Sequence, residues 1–497
     1  MSNLGLDFSF FELVDILETI GEKENRVVPI FIDAANETWN CSLWKTGLPA
    51  IIDKIRHSPL VRLVVSFRPE YESVILSDGL KKERQCGDIV TTVHNGFEKN
   101  SIQAIREFLN HYNIPFTPVE FFGSELTNPL FLTLYCRTYN GEEVSLPKLY
   151  ERLIDNANKK VVTALNLRAI GYSGVEEVVR PFFMQMAYYM VQSGHRSVTR
   201  EELASFSFWK EFHIVIPPFV HQLEKEGLLH NYVNDEMEYY FFAYDQMNDY
   251  YCAKAILNAY NTREQVREYL ENRILEVENG TLNRYIDIDL FVNSCALYVE
   301  KYGEECIDII DRITDENDKW QVFSRYVESF QWRDASFISK ELFVSLIRKY
   351  HCAGDDLWKM LIGNSVKTQN PLNADFLHSF LMGYSLNKRD YLWTIYVNRL
   401  TWNEDDRVVQ LIKMFDEGDT LCFSSEKQIE LLLTLFGWIL TSSDRWLRDV
   451  TSKAMIELLK DNFKLCLVLL DKFNNVDDPY VIQRLYGIVF GAPKTIP

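Results

Sequence analysis

The chain has 497 residues, 47% of them hydrophobic and 25% charged, with only 21 Gly and 15 Pro. That balance excludes collagen-like and linker-dominated chains, and the length predicts about three domains with cores large enough to need no disulfide or metal staple. Against 52 Lys and Arg stand 71 Asp and Glu, a net charge of −19, whose field repels phosphate backbones and excludes broad nucleic-acid binding.

The first predicted element is a helix. Ser9 and Glu12 are spaced as a capping box, and Phe10, Leu13, Val14, Leu17 and Ile20 recur at helical spacing. After the charged break at Gly21–Asn25, the run Val27-Val28-Pro29-Ile30-Phe31-Ile32 reads as a strand buried in a parallel sheet. Pro29 must then sit where no ladder N–H is required. A helix over Leu48–His57 leads to a second buried strand at Val61, Leu63, Val64 and Val65. Strand, helix and strand joined by short loops imply a right-handed crossover in an α/β sheet.

Helices follow at Ile102–Tyr112, at the turn-opened segment Asn128–Leu134, and over most of Glu142–Val191. Thr199 with Glu202 makes a second capping box. A helix carrying Phe219 and Leu223 ends near Gly227, and two strands, Leu229–Val233 and Met237–Phe242, flank Asn234-Asp235-Glu236. Helices followed by a hairpin is the order of a winged helix. From Tyr244 onward no strand pattern occurs, and helical segments of roughly 12–18 residues succeed one another, as in a repeat-like array. The clearest are Ile429–Leu440, Trp446–Leu459, Leu465–Phe473 and Tyr480–Phe490; for the last, Asp478 is the N-cap, Pro479 the first helical residue and Gly491 the stop.

The nine cysteines (Cys41, Cys86, Cys136, Cys252, Cys295, Cys306, Cys352, Cys422 and Cys466) form no CxxC pair. They read as reduced thiols of a cytoplasmic protein. The N-terminus has neither a basic region nor a small-residue cleavage site. The longest mostly apolar run, Leu431–Leu440, is half the ~20 residues a membrane span needs. A soluble chain without a membrane partner is expected. The nine His lack i, i+4 pairing, so they make no zinc pattern; His94 and His111 are surface residues in this reading. Gly171-Tyr172-Ser173-Gly174 reads as a turn, because Gly-x-Ser-x-Gly is absent. The aromatic runs Tyr239-Tyr240-Phe241-Phe242 and Tyr250-Tyr251 lack interleaved basic residues and read as core.

Chemistry concentrates at the strand ends. Ligands in open α/β sheets bind beyond the carboxyl ends of the strands. The first strand runs into Asp33, a hard oxygen donor suited to hydrated Mg²⁺, and Glu37 follows one turn later, placed to polarise a water. The second strand runs into Ser66 and Arg68, whose guanidinium suits phosphate oxygens.

These residues carry a resemblance. Val28-Pro29-Ile30-Phe31-Ile32-Asp33-Ala34-Ala35-Asn36-Glu37 resembles the Walker B motif of STAND-class P-loop NTPases, the group that includes NACHT proteins. Val64-Val65-Ser66-Phe67-Arg68-Pro69 resembles their sensor-1 motif, and Asn128-Pro129-Leu130 the Pro-Leu element of their helical subdomain. Phe242-Ala243-Tyr244 with Asp249-Tyr250 is similar to the end of their winged-helix domain. The nearest likeness is to bacterial antiviral STAND proteins of the Avs type. The run Arg448-Asp449, Lys453-Ala454, Asp477-Asp478-Pro479-Tyr480-Val481 and Arg484-Leu485 resembles their helical repeats.

The resemblance implies an α/β part followed by an all-α part. Residues 1–125 would be the second half of an incomplete P-loop NTPase parallel sheet, 126–192 the helical subdomain, 193–261 the winged helix and 262–497 a HEAT- or TPR-like sensor array. It implies ATP and Mg²⁺ as cofactors. Asp33 would hold the metal and, with Glu37, act in hydrolysis, while Ser66, Arg68, Pro129 and Tyr244 would line the nucleotide. The array would sense a protein ligand such as a phage protein, with a homo-oligomer or a P-loop-bearing chain as further partner.

Three departures count. No GxxxxGK[ST] occurs, so the amide cradle, the phosphate Lys and the metal-binding hydroxyl of a P-loop are missing. The second acid of the Walker B pattern is Asn36, and the family's histidine is Tyr244. The chain alone is therefore expected neither to bind ATP tightly nor to hydrolyse it, and it reads as part of a longer, split or decayed protein. The alternatives are an inactive helical scaffold and a winged-helix DNA-binding regulator.

Overall fold

A computed structural model describes residues 9–35, 38, 43–67, 72–93, 96–97, 101–122, 124–141, 146–167, 177–234, 237–274, 288–350, 354–402, 406–416 and 421–492. The chain is mostly helical and divides into two compact units, Met1–His94 with Ala157–Tyr251, and Asn95–Asn156 with Cys252–Pro497.

The first unit opens on the helix Phe10–Glu24, closed at its N-terminus by the reciprocal Ser9–Glu12 capping box. Strands β1 (Val28–Ile32) and β2 (Val61–Val65) pair in parallel, Val28 opposite Val61 and Ile32 opposite Val65. The Val28 amide donates to the Leu60 carbonyl and the Ser66 amide to the Ile32 carbonyl. Residues 28, 30 and 32 therefore bond toward β2, and Pro29, which has no N–H to give, faces the opposite edge. The crossover helix is Leu43–Arg56, beginning at Leu43 rather than Leu48, with Pro49 in its interior. Ile30 and Leu63 pack with Val14, Ile55 and Val61. Ile32 and Val65 pack on Ala35, Leu48, Ile75 and Leu80. The opposite face is open, with Phe31 70% and Val64 47% exposed.

The rest of this unit surrounds a small antiparallel sheet. Strand β3 (Val198–Thr199) pairs with β5 (Met237–Phe242), which also pairs with β4 (Leu229–Asn234), giving the order β3-β5-β4. Helices Val179–Ser193, Arg200–Ala204, Phe208–Phe212 and Ile216–Lys225 accompany it. The helix Val179–Ser193 lacks a side-chain cap of its own. Instead Asn158 Oδ1 accepts the Val178 and Val179 amides at 2.8 and 3.1 Å, satisfying donors that a helix start leaves open. Tyr232 and Phe241 of the hairpin pack against the Ala35–Leu48–Ile75–Leu80 cluster, joining the two sheets through apolar contact.

The second unit is helical. Its last four helices, Glu426–Ile439, Arg445–Lys460, Leu465–Phe473 and Pro479–Gly491, lie where the periodicity places them, and Asp478 caps the last by accepting from Tyr480 and Val481. The segment around Pro118–Phe122 joins this unit across a long stretch of sequence. The Cys422 amide donates to the Phe116 carbonyl at 2.9 Å, and Arg407 Nη1 to the Phe121 carbonyl at 2.9 Å.

His378 is half-buried in this array. Trp438 Nε1 donates to its Nδ1 at 3.2 Å, and the Trp438 and Phe473 rings lie 5.6 and 4.9 Å away. Burial, reinforced by the Lys472 charge, lowers its imidazole to about 4. An unfolded His titrates near ~6.5, so as pH falls the unfolded chain takes up the proton first. This contribution is complete above that value and is lost between about 6.5 and 4. Urea denaturation at pH 7 and pH 5 should show His378→Gln removing about 1–2 kcal/mol of the pH dependence, a figure discounted for partial exposure.

Candidate functional site

The carboxyl ends of β1 and β2 come together as one small polar edge. After Ile32 the chain turns at Ala34, which adopts φ +50°, a left-handed conformation that costs a non-glycine residue about 1 kcal/mol. The turn lets Ser66 bind the loop three ways. Its hydroxyl donates to Asp33 Oδ1 at 2.5 Å and accepts the Ala34 amide at 2.8 Å. Its carbonyl accepts the Ala35 amide at 2.9 Å. Ala35 is buried against Leu48, Ile75 and Leu80 and anchors the loop. Asp33 itself is exposed. The result is a solvent-facing carboxylate held at the strand tips by a neighbouring hydroxyl, with its second oxygen left for a cation or a water.

This donor set fits a hydrated Mg²⁺ held through one carboxylate, since that ion keeps most of its water. A phosphate cradle would need several convergent amides or a basic side chain. The Ala34 and Ala35 amides are both spent on Ser66. Among the described residues no group of three or more His, Cys, Asp or Glu is placed to hold a metal.

Glu37 and Arg68 lie outside the described residues, as do Asn36 and His94. Pro129 belongs to the second unit, where it is the first residue of the helix Pro129–Thr138. Asn128 Oδ1 caps that helix through the Leu130 and Phe131 amides at 3.0 and 3.1 Å. Gly96, at φ +81°, passes close beside it: a Cβ there would lie 2.7 Å from the Thr127 carbonyl oxygen and 3.2 Å from Pro129 Cδ. Tyr244 is buried, 8% exposed, at the turn from β5 into the helix Asp245–Ala259. Of the described candidates, Asp33 and Ser66 are joined by a direct bond.

One polar pair near Tyr244 escapes sequence reasoning. Asp249, 2% exposed, accepts from Arg196 Nη2 at 2.8 Å and from Asn248 Nδ2 at 3.2 Å. The Arg196–Asp249 link ties the start of the helix Asp245–Ala259 to the segment before β3. Its partners are 53 residues apart, and no local pattern marks them.

Among the described residues no helix is long and apolar enough to cross a membrane. Comparison with protein-family models gives no match, and comparison with curated proteins gives none at a significant level.

Proposed function

We propose that this chain is part of a STAND-type, ATP-dependent signalling switch of the kind used in bacterial anti-phage defence. Its helical array, residues 262–497, would be the sensor for a protein ligand. The observation that supports this reading most is the Asp33–Ser66 bond at the carboxyl ends of adjacent parallel strands, where acid and sensor of such a switch must meet. The order of short strand, helices and hairpin, with strand order β3-β5-β4, suits the winged-helix part. In this reading Asp33 holds Mg²⁺, Glu37 orients water, Arg68 reads phosphate, and Tyr244 borders the nucleotide. When bound, Mg²⁺–ATP supplies the charge that stabilises one conformational state over another; the switch responds only to the difference in affinity between those states.

The test uses Mn²⁺ as the metal probe, followed by electron paramagnetic resonance with ATP present. Wild-type chain should retain weak Mn²⁺–ATP binding, with a Kd above about 0.1 mM because the amide cradle is missing. Asp33→Asn should abolish it, and Ser66→Ala should weaken it several-fold. Unchanged Mn²⁺ binding in Asp33→Asn overturns the site, and micromolar ATP binding by the chain alone overturns the expectation of weakness.

The missing Gly-Lys phosphate loop favours a second reading, a helical scaffold that acts through protein contacts. It requires the same partner capture from wild type and Asp33→Asn, whereas the switch requires that capture to depend on nucleotide.

A further inference from the structure

The last two described helices, Leu465–Phe473 and Pro479–Gly491, pack on each other and on the two helices before them. The outer helix pair of a helical array ordinarily turns a polar face to solvent. This pair does not. In Leu465–Phe473 the buried side is Leu465, Cys466, Leu469 and Phe473. Lys464, Leu467, Val468 and Asp471 fall at i, i+3, i+4 and i+7 on the opposite side, and all four are exposed, Leu467 to 70%. The neighbouring helix repeats the arrangement. Val481, Leu485 and Ile488 are its buried side, while Tyr486 and Phe490, one turn apart, stand exposed, Phe490 to 67%. Four large apolar side chains on two packed helices exceed the single ones that any surface scatters, and such a patch marks an interaction site.

We propose that a second copy of this chain docks here, with the two Leu465–Phe473 helices antiparallel across a two-fold axis. The charges carry the choice of occupant. Lys464 lies three residues before Leu467, and Asp471 three residues after Val468. The stripe therefore has one cation and one anion, placed symmetrically about its apolar centre. A two-fold axis through the midpoint between Leu467 and Val468 lays each Lys464 on the Asp471 of the other copy and closes two ion pairs around four apolar side chains. A parallel arrangement would set Lys464 on Lys464 and Asp471 on Asp471. Neither side chain forms an ion pair among the described residues, so both are free to do this. The whole chain, with a net charge of −19, would favour a basic partner, but this stripe is locally neutral and complementary to itself.

Sedimentation velocity of the full chain between about 1 and 100 µM measures the association, without nucleotide or metal, so the outcome stands apart from the Asp33 site. Wild type should form a reversible dimer with a Kd of about 1–50 µM, the strength of a small transient interface. Lys464→Asp leaves two acids on the stripe and Asp471→Lys leaves two cations. Each variant alone should dimerise at least about tenfold more weakly, because like charges then face each other. An equimolar mixture of the two variants should recover the dimer, since every facing pair is again opposite in sign. The double variant Lys464→Asp with Asp471→Lys should recover it as well. Leu467→Asn should weaken it about a hundredfold, because each dimer loses that side chain twice. Both charge changes follow the helix dipole, acid at the N-terminus and cation at the C-terminus, and thermal melting of each variant reports folding separately. A wild-type chain that stays monomeric to about 200 µM, weaker than any specific small interface, overturns the proposal and leaves the face to a different protein. So does a dimer that both single charge changes leave intact, or a mixture that associates no better than either variant alone.

Discussion

Arg333→Met is expected to destabilise the helical array by about 3–5 kcal/mol, because it leaves one partner of a buried ion pair behind. The Arg333 side chain is 2% exposed and that of Glu305 17%. Nη1 donates to Glu305 Oε1 and Oε2 at 2.9 and 3.3 Å, and Nε to Ser329 Oγ at 3.0 Å. The Tyr326 and Phe330 rings lie 4.7 and 4.6 Å from the guanidinium carbon. Methionine fills much of the volume but leaves Glu305 with the Tyr326 hydroxyl as its remaining donor, so a largely buried carboxylate stays without its cation. The double change Arg333→Met with Glu305→Leu should recover a large part of the loss, since it removes the stranded charge as well. Native-state hydrogen exchange of the helix Glu316–Glu328 measures both. Equal losses in the single and double variants would assign the cost to packing rather than to charge.

That pair illustrates what a sequence conceals. Glu305 and Arg333 lie 28 residues apart, and each alone reads as an ordinary surface charge. The same holds for Asn158 capping Val178. Strand β3 is two residues long and exists through its pairing with Tyr239 and Tyr240. Features decided within four residues were legible: the Ser9–Glu12 and Thr199–Glu202 capping boxes, Asn128 before Pro129, and Asp478 before Pro479. The Asp33–Ser66 contact falls between these cases. Its partners are 33 residues apart, but a short strand–helix–strand crossover leaves little choice except to lay the two strands side by side. Their tips, and the residues on them, then meet. Arg68 and Glu37 lie outside the described residues, and their part in the site rests on the sequence.

Phe182→Ala should cost the first unit about 3–5 kcal/mol, the range for truncating a fully buried ring that cannot be replaced by collapse. Phe182 is 0% exposed. Its ring meets those of Phe183, Phe206, Phe208, Trp209 and Phe219 at centroid distances of 5.6, 6.3, 5.5, 5.4 and 5.2 Å. It thus joins the helix Val179–Ser193 to the helices Phe208–Phe212 and Ile216–Lys225 at one point. The cluster continues through Phe183 to Phe242 and Tyr251, whose rings stack at 5.9 Å. Phe182→Leu keeps much of the volume but loses the edge-to-face contact with Phe219, and it should cost about 1–2 kcal/mol. Trp209 reports the change directly, because its indole Nε1 donates to the Leu203 carbonyl inside the same cluster; its emission should shift to the red in Phe182→Ala. The experiment also separates two uses of an aromatic-rich segment. Rings kept for stacking on nucleotide bases stand in solvent and can be truncated with little effect on folding, whereas rings that bridge helices cannot. A loss of several kcal/mol at Phe182, with Trp209 responding, assigns this segment's aromatic content to holding the small antiparallel sheet against its helices.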